Sequence, residues 1–271
     1  MQPQLTPEDI WTSFDLEPGQ TLVWDVGAIR LCASRCKNDW LIFKENSSER
    51  SAASIDVHNE PVDITQSHER WAFKNPRPTL HIQPAMPDRP LVVRPLTPLG
   101  LPPDSEVQFY INIPTFVQLG FSHSKRKTEI TAFPSQTLSN TWFGDNYGGV
   151  LCYANKSMIR REKEELGVIA NQIICPFKIK NRANEVLQVE RICLRVRYLS
   201  IWAGKQRLWS NEVTSIFRGH GKETQLEYAS APPKDATEPH LIRKAEVKPE
   251  RGFLRQTFAH ASFPWRKENA S

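Results

Sequence analysis

The clearest pattern of hydrophobic and polar positions is a strict alternation in the segment SEVQFYINIP, residues 105–114. Its apolar positions of one parity are Val107, Phe109, Ile111 and Ile113. Side chains two residues apart lie on the same face of a β-strand, so this segment is predicted to be a strand with that face in the core. Shorter alternations of the same kind recur along most of the chain and predict an all-β protein.

Proline and glycine divide these alternating segments. The chain has 21 prolines and 12 glycines among its 271 residues. Proline disrupts helix interiors, so its regular recurrence leaves room for only a few short helices. We therefore predict two β-sandwich units of the immunoglobulin-like kind, an N-terminal unit at residues 1–122 and a C-terminal unit with an extended tail at residues 123–271. The basic segment at residues 120–129 marks the boundary between them.

Two helices and one loop are predicted outside the strands. Thr6 followed by Pro7 is typical of a helix start, which predicts a short helix at residues 6–13. Residues 158–169 carry oppositely charged side chains four positions apart, as expected of a solvated helix. The polar residues 46–60 have no clear period and are predicted to form a surface loop.

The segment VLQVERICLRVRY, residues 186–198, contains two alternations that are out of step. Leu187 and Val189 share one parity, whereas the next apolar series starts at Ile192. A single strand keeps one face in the core across such a step only if a β-bulge adds one residue. We predict one long strand here, with a bulge at residues 190–191.

The stretch TWFGDNYGGVLCYANKS, residues 141–157, places large aromatic side chains around a flexible turn. Trp142, Phe143 and Tyr147 surround Gly, Asp and Asn residues, the types that turns select. Two interpretations follow. In the first, the aromatic side chains pack into the core and cap a sandwich, as most large aromatics do. In the second, they stand exposed together and form an anchor at a protein interface, where Trp, Tyr and Arg dominate binding.

The candidates for such an interface lie on this stretch and on the arginine-rich segment after it. They are Trp142, Phe143, Asp145, Tyr147, Arg191, Arg195 and Arg197. A catalytic carboxylate is the alternative for Asp145, and a nucleophile is the alternative for Cys152. The strong turn preference of aspartate favours a structural role for Asp145.

Charge and hydropathy restrict the classes of partner. With 35 basic and 30 acidic residues, the net charge of +5 falls short of the basic footprint of a nucleic-acid-binding protein. The N-terminal segment has neither the basic nor the apolar region of a signal peptide, and apolar runs elsewhere are far below the ~20 residues needed to span a bilayer. We expect a cytoplasmic protein without direct membrane insertion.

No motif for chemistry or for a cofactor is found in the sequence. Cys32 and Cys36 lie about 13 Å apart if both belong to an extended strand, too far for one metal ion or a disulfide. The seven histidines show no metal-ligand spacing, and phosphate-binding glycine loops and serine-nucleophile motifs are missing. We expect no enzyme, no metal and no cofactor, and five free thiols in a reducing compartment.

Ordered short motifs resemble a bacterial and archaeal family of unknown function, the one numbered four-three-two. The motifs are PAMPDRPLVVRP, TWFGDNYGGVLCYA, CPFKIKNRANEVLQVERICLRV, LWSNEV and RGFLRQTF, and the similarity runs from about Trp24 to Phe258. Members of that family are often encoded near small-conductance mechanosensitive channels. The resemblance therefore implies an accessory or regulatory protein of such a channel, and it carries over no catalytic residue.

The expected function is thus a non-catalytic, cytoplasmic protein-interaction module. Its partner is either a protein such as a mechanosensitive channel or a second copy of the chain. The alternative is a β-sandwich that binds carbohydrate or another small ligand, with Trp142, Trp202 and Trp209 as a stacking platform. A flat aromatic patch rimmed by arginine favours the first function, and a concave apolar pocket favours the second.

Overall fold

The protein is mostly β-structure, with 57% of residues in strands and 5% in helices, which confirms the predicted predominance of strands. The structure, a computed structural model, describes residues 5–60, 69–73, 78–95, 97–123, 126–144, 147–155, 159–219, 224–248 and 254–255, without the side chains of 47–52, 123, 126 and 254–255. The strands form several antiparallel sheets and one curled half-barrel sheet. The finer prediction of two immunoglobulin-like sandwiches stays a prediction.

The described residues contain one α-helix, two 3₁₀ turns and a series of strands in chain order. The helix is α1 (Pro7–Ile10), and the 3₁₀ turns are Lys163–Leu166 and Val196–Tyr198. The strands are β1 (Ser13–Phe14), β2 (Thr21–Arg35), β3 (Asp39–His58), β4 (Glu69–Ala72), β5 (Thr79–Ala85), β6 (Leu91–Val93), β7 (Leu99–Leu101), β8 (Glu106–Pro114), β9 (Phe116–His123), β10 (Arg126–Pro134), β11 (Ser139–Phe143), β12 (Val150–Asn155), β13 (Gln172–Asn181), β14 (Leu187–Val189), β15 (Ile192–Leu194), β16 (Ile201–Ala203), β17 (Leu208–Ser210), β18 (Val213–Phe217), β19 (Thr224–Tyr228), β20 (His240–Arg243) and β21 (Leu254–Arg255).

These strands are distributed over five sheets. The β9 sheet has the order β1-β5-β9-β10, the hairpin sheet has the order β11-β12-β6-β15, and the β2 sheet has the order β2-β3-β4. The β13 sheet has the order β20-β16-β17-β13-β18-β19-β21, with β8 paired to the other side of β13. A short ribbon joins β14 to β7. Four of these five sheets combine strands from both predicted units, and the β2 sheet is the exception. The division into two units stays a prediction.

One large hydrophobic core connects the sheets. It extends in sequence from Ile10 on α1 to Leu226 on β19, and it includes the alternating residues of β8. Phe109 and Ile111 of that strand are buried, as the alternation predicted. The other face of β8 is also covered, because Tyr110 packs with Leu166 and Trp209 in a smaller cluster.

The predicted helix at residues 158–169 is wrong. Among the described residues 159–169, the helical structure is limited to the 3₁₀ turn at Lys163–Leu166. The backbone of Arg160 exchanges two hydrogen bonds with Tyr110 of β8, at 2.8 and 3.1 Å, which holds this part of the segment in extended form. The N-terminal helix is confirmed but shorter, because α1 ends at Ile10; Thr6 caps it in a capping box with Asp9.

The predicted surface loop at residues 46–60 is also wrong over most of its length. Residues 39–58 form β3, which pairs with β2 almost from end to end. The register shifts on either side of Gly27, whose φ of +66° few other residues adopt. A Cβ at this position would lie 2.3 Å from Asn171 Nδ2, so the bulged backbone needs glycine on steric grounds as well. These shifts obscure the two-residue period in the partner strand.

The predicted long strand at residues 186–198 divides in two. Leu187 and Val189 belong to β14 and pair with β7, whereas Ile192 opens β15, which pairs with β6 in the hairpin sheet. The change of parity therefore marks a change of sheet and not a bulge. Both interpretations place each apolar series in the core, which is why the pattern alone did not separate them.

Candidate functional site

The aromatic stretch forms a β-hairpin whose two faces have different surroundings. In the antiparallel pair β11 and β12, Trp142 lies opposite Leu151, and Phe143 lies opposite Val150. Since residues directly opposite one another point to the same face, Trp142 and Leu151 share one face of the hairpin and Phe143 and Val150 share the other.

The face of Phe143 is buried. Phe143 is 2% exposed and packs with Val92, Cys152 and Cys193, while Val150 is partly buried against the same group. We call this group the inner cluster. It holds the hairpin against β6 and β15, the other strands of the hairpin sheet.

The two thiols of the inner cluster differ in their electrostatic surroundings. The Cys152 thiol donates a hydrogen bond to the carbonyl oxygen of Val150 at 3.4 Å. A hydrogen bond from the Cys193 thiol lowers the pKa of Cys152, burial opposes this, and the positive charge of Arg195 adds to the lowering. The same hydrogen bond and burial raise the pKa of Cys193. Cys152 is fully buried, so its surroundings give no access to a substrate.

The face of Trp142 is exposed. Trp142 and Leu151 are 45% and 44% exposed, although both are large and apolar. On the neighbouring strand the corresponding face is covered, because Leu91, which lies opposite Tyr153, is fully buried in the main core. The hairpin thus extends a core-facing sheet surface beyond the core.

A polar rim adjoins this exposed pair. The guanidinium carbon of Arg89 lies 5.3 Å from the centre of the Tyr153 ring. The same guanidinium group donates a hydrogen bond of 3.0 Å to Asn140 Oδ1. The hydroxyl of Tyr153 donates to Asp88 Oδ1 at 2.8 Å. Asn140 and Tyr153 are opposite each other, on the face of Trp142. We call the surface made by Asn140, Trp142, Leu151, Tyr153 and Arg89 the hairpin patch.

The structure separates the aromatic residues of the predicted interface. Phe143 belongs to the inner cluster, Trp142 belongs to the hairpin patch, and Tyr147 is fully exposed beyond the end of β11. Phe143 therefore fits the first interpretation, while the interface of the second interpretation stays a prediction for the exposed Trp142 and Tyr147. Asp145 lies outside the described residues.

The three predicted arginines have different surroundings. Arg197 donates to Glu246 Oε2 at 2.9 Å. The half-buried Arg195 acts on Cys152, whose side chain belongs to the face opposite Trp142. Arg191 is half-buried between β14 and β15. Arg89 is the arginine that contacts residues of the patch in the described contacts, and the predicted rim of the other three arginines stays a prediction.

The predicted platform of three tryptophans is not assembled. Trp142 lies in the hairpin sheet, whereas Trp202 and Trp209 face one another across β16 and β17 of the β13 sheet. Trp209 is buried, with 4% of its surface exposed. The ligand-binding alternative itself stays a prediction.

A small recess with polar lining residues lies near β8 and β13. It is lined by Asn112, Gly167, Ile169, Gln172, Ile174 and Arg207 and encloses about 170 Å³, part of it open to solvent. Ligand pockets ordinarily enclose about 300 Å³ or more. The buried Oε1 of Gln172 has no hydrogen-bond partner among the described residues. The recess is too small to hold a ligand that could donate a hydrogen bond to it.

A protein-family model with the description "Protein of unknown function (DUF432)" matches residues 10–263. The chain belongs to this family. The resemblance read from the ordered motifs is thereby confirmed, and the whole hairpin patch lies within the DUF432 match. No curated protein and no solved structure matches the chain.

The predicted interface of this DUF432 chain lacks four of the five patch residues: Asn140, Leu151, Tyr153 and Arg89. Leu151 was available from the alternation, because an antiparallel hairpin centred on the glycine-rich turn places it near Trp142. Arg89 lies more than 50 residues earlier, in the PDRP segment, and no local pattern joins it to the hairpin. Only the parallel pairing of β6 with β12 brings it there.

The described part of this DUF432 chain has neither a metal-binding cluster nor a membrane-spanning helix. No group of three or more His, Cys, Asp or Glu side chains is arranged there to hold a metal ion. No helix of that part is both long and apolar enough to cross a bilayer.

Proposed function

We propose that this DUF432 chain is a cytoplasmic protein-interaction module that binds its partner through the hairpin patch. The observation that carries the proposal is the pair of Trp142 and Leu151, which is nearly half exposed on a sheet face that is core at β6. Contiguous apolar side chains on a regular strand, rimmed by polar groups, are typical of surfaces that a partner covers.

The composition of the patch supports the proposal. Trp, Tyr and Arg are enriched at interfaces and at binding hot spots, and Trp142, Tyr153 and Arg89 supply one of each. Arg89 and Tyr153 are already held by Asn140 and Asp88. Side chains fixed before binding lose less conformational entropy when a partner arrives.

The partner class comes from the family resemblance. A small-conductance mechanosensitive channel is the first partner to test, and a second copy of the chain is the other. Binding to a channel requires no membrane segment of the chain itself, because the hairpin patch is available from the aqueous side.

The test is binding of the purified chain to the purified channel in nanodiscs, measured by surface plasmon resonance. Loss of an interface aromatic ordinarily costs ~2 kcal/mol or more, so the variant Trp142→Ala with Leu151→Ala should bind at least about thirtyfold more weakly. Light scattering on the same samples measures self-association. The melting temperature should stay close to that of the unchanged protein.

A matched control is Val57→Ala, which removes an equally exposed apolar side chain of β3, outside the patch. It should bind like the unchanged chain. Equal binding by the patch variant and the control would refute the proposal. If the unchanged chain binds neither the channel nor a second copy of itself, both proposed partners are refuted.

A further inference from the structure

A histidine and two serines form a hydrogen-bonded row across the β9 sheet. Ser13 Oγ lies 2.5 Å from His81 Nδ1, and Ser122 Oγ lies 2.5 Å from His81 Nε2. The three residues stand on the neighbouring strands β1, β5 and β9. The residue opposite His81 on β9 is Gly120, so no side chain stands between the imidazole and Ser122.

The row is reachable from solvent. Ser13 is exposed, and both His81 and Ser122 are partly exposed. Lys127 of β10 lies directly opposite Ser122, which places its exposed ammonium group on the same face as the row. A small reagent therefore has access to Ser122 and to a cation beside it.

If the His81 imidazole is neutral, it donates one of its two hydrogen bonds to serine and accepts the other. One ring nitrogen carries a proton and donates, while the other accepts. Two charged side chains change the pKa of His81. Lys127 lies opposite Ser122, and Asp15 lies two residues after Ser13 in the chain. The positive charge favours negative charge on Ser122 Oγ, and the carboxylate favours the proton on Nδ1. Ser13 then accepts from Nδ1, and Ser122 donates its hydroxyl proton to Nε2.

Burial, with Lys127 adding to it, lowers the pKa of His81, and Asp15 opposes the shift. The imidazole is therefore neutral at pH 7. A neutral imidazole that accepts a hydrogen bond from a serine hydroxyl is the arrangement of a general base and its nucleophile. Ser13 fixes the ring orientation from the other side.

We propose that Ser122 is an activated nucleophile that accepts an acyl group from activated esters. Ser122 Oγ forms a bond to the carbonyl carbon, the bond from that carbon to the leaving oxygen breaks, and His81 Nε2 takes the hydroxyl proton and passes it to the leaving group. The products are acyl-Ser122 and an alcohol. Lys127 stabilises the negative charge that develops on the carbonyl oxygen, and Ser13 is a positioning residue. This reactivity is independent of the hairpin patch.

The experiment uses p-nitrophenyl acetate with the full chain and follows nitrophenol release and the intact mass. One acetyl group per chain is expected, located at Ser122 by peptide mass spectrometry. Ser122→Ala should lose that adduct, and His81→Gln should slow its formation about 10²-fold, the lower end of general-base contributions. The matched control Ser105→Ala removes a serine whose hydroxyl donates to the Pro102 carbonyl, and it should react like the unchanged chain.

The pH profile gives a second reading that needs no substitution. Acylation of Ser122 should slow as the pH falls through a value below 6.5, where His81 becomes protonated. Ser13→Ala should move that midpoint while Ser122 remains the acetylated residue, which a merely structural role would not do. Equal acetylation of Ser122→Ala, or a rate that does not depend on pH between 4 and 8, about the range over which histidine titrates in proteins, would overturn the proposal.

Discussion

The two faces of β11 meet different surroundings although their residues alternate along the same five-residue strand. Phe143 is buried in the inner cluster, and its neighbour Trp142 is nearly half exposed on the hairpin patch. Both are large aromatic side chains that bury most of their surface on average. The difference lies in what the rest of the chain places above each face.

This comparison shows why an aromatic-rich hairpin has no single meaning. Period-two alternation determines that neighbouring residues separate, but it does not determine which face is covered. The inner face is covered through β6 and β15, whereas the outer face extends beyond the main core. Substitutions on the two faces should therefore change different measured quantities.

Replacing the inner aromatic should have the largest effect. Phe143→Ala removes a fully packed ring from the inner cluster, and such cavities cost about 3 to 5 kcal/mol of unfolding free energy. Urea denaturation monitored by circular dichroism measures the loss. The control Phe143→Leu keeps most of the volume and should cost less than half as much. A loss below about 1 kcal/mol for Phe143→Ala would mean that the inner face is not packed as described.

Alkaline pH tests burial without changing a hydrophobic side chain. Burial raises the pKa of Cys175 in the main core to about 12, from a usual value of 9.0. Above pH 9 the unfolded chain loses this proton while the folded chain keeps it, so folding stability falls as the pH rises. At about 1.4 kcal/mol per pH unit, the loss between pH 9 and 10.5 is about 2 kcal/mol.

Cys175→Ala separates this contribution from those of other groups. The variant starts from a lower stability, but its stability should fall less steeply between pH 9 and 10.5. Urea midpoints at four pH values in that interval give the two slopes. Parallel slopes would show that the Cys175 thiol ionises as readily in the folded chain as in the unfolded one.

The exposed pair should contribute little to stability. Trp142→Ala and Leu151→Ala each remove one member of a cross-strand pair, and such pairs contribute about 0.2 to 1 kcal/mol. The melting temperature of each variant should shift by a few degrees at most. If either variant unfolds as readily as Phe143→Ala, the outer face is covered in the native protein and the comparison between the faces fails.

The turn should be the most tolerant position of all. Tyr147 is fully exposed, so Tyr147→Ser should change the unfolding free energy by no more than about 0.5 kcal/mol. A thermal scan beside Trp142→Ala measures the difference. Destabilisation greater than that of Trp142→Ala would show that Tyr147 contributes substantially to the stability of the turn.

Local patterns predicted structure well where the decisive contacts are near in sequence or the register is regular. The alternation of Val107 to Ile113 predicted β8 and its core face, and the cap at Thr6 predicted the start of α1. Prediction failed where distant backbone decided the outcome. Tyr110 holds Arg160 in an extended conformation, and the bulged pairing with β2 makes a strand of the polar residues 46–58.

The hairpin patch was predictable in part for the same reason. Trp142 was identified from its residue type beside a turn. Assigning Phe143 to the core required knowing that Val92 and Cys193 cover that face. Placing Arg89 at the rim required the pairing of β6 with β12, two segments far apart in sequence. Arginine-rich sequence near an aromatic hairpin was not a substitute for that pairing.

The position of β6 between β12 and β15 has a consequence for synthesis of the chain. Both neighbours of β6 are made later, and roughly 100 residues separate Val93 from Ile192. At ribosomal speeds of about 5 to 20 residues per second, both backbone edges of this uncharged strand stay unpaired for on the order of 5 to 20 s. Open apolar edges recruit other strands, so the yield of native protein should depend on chaperone supply and translation speed as well as on final stability.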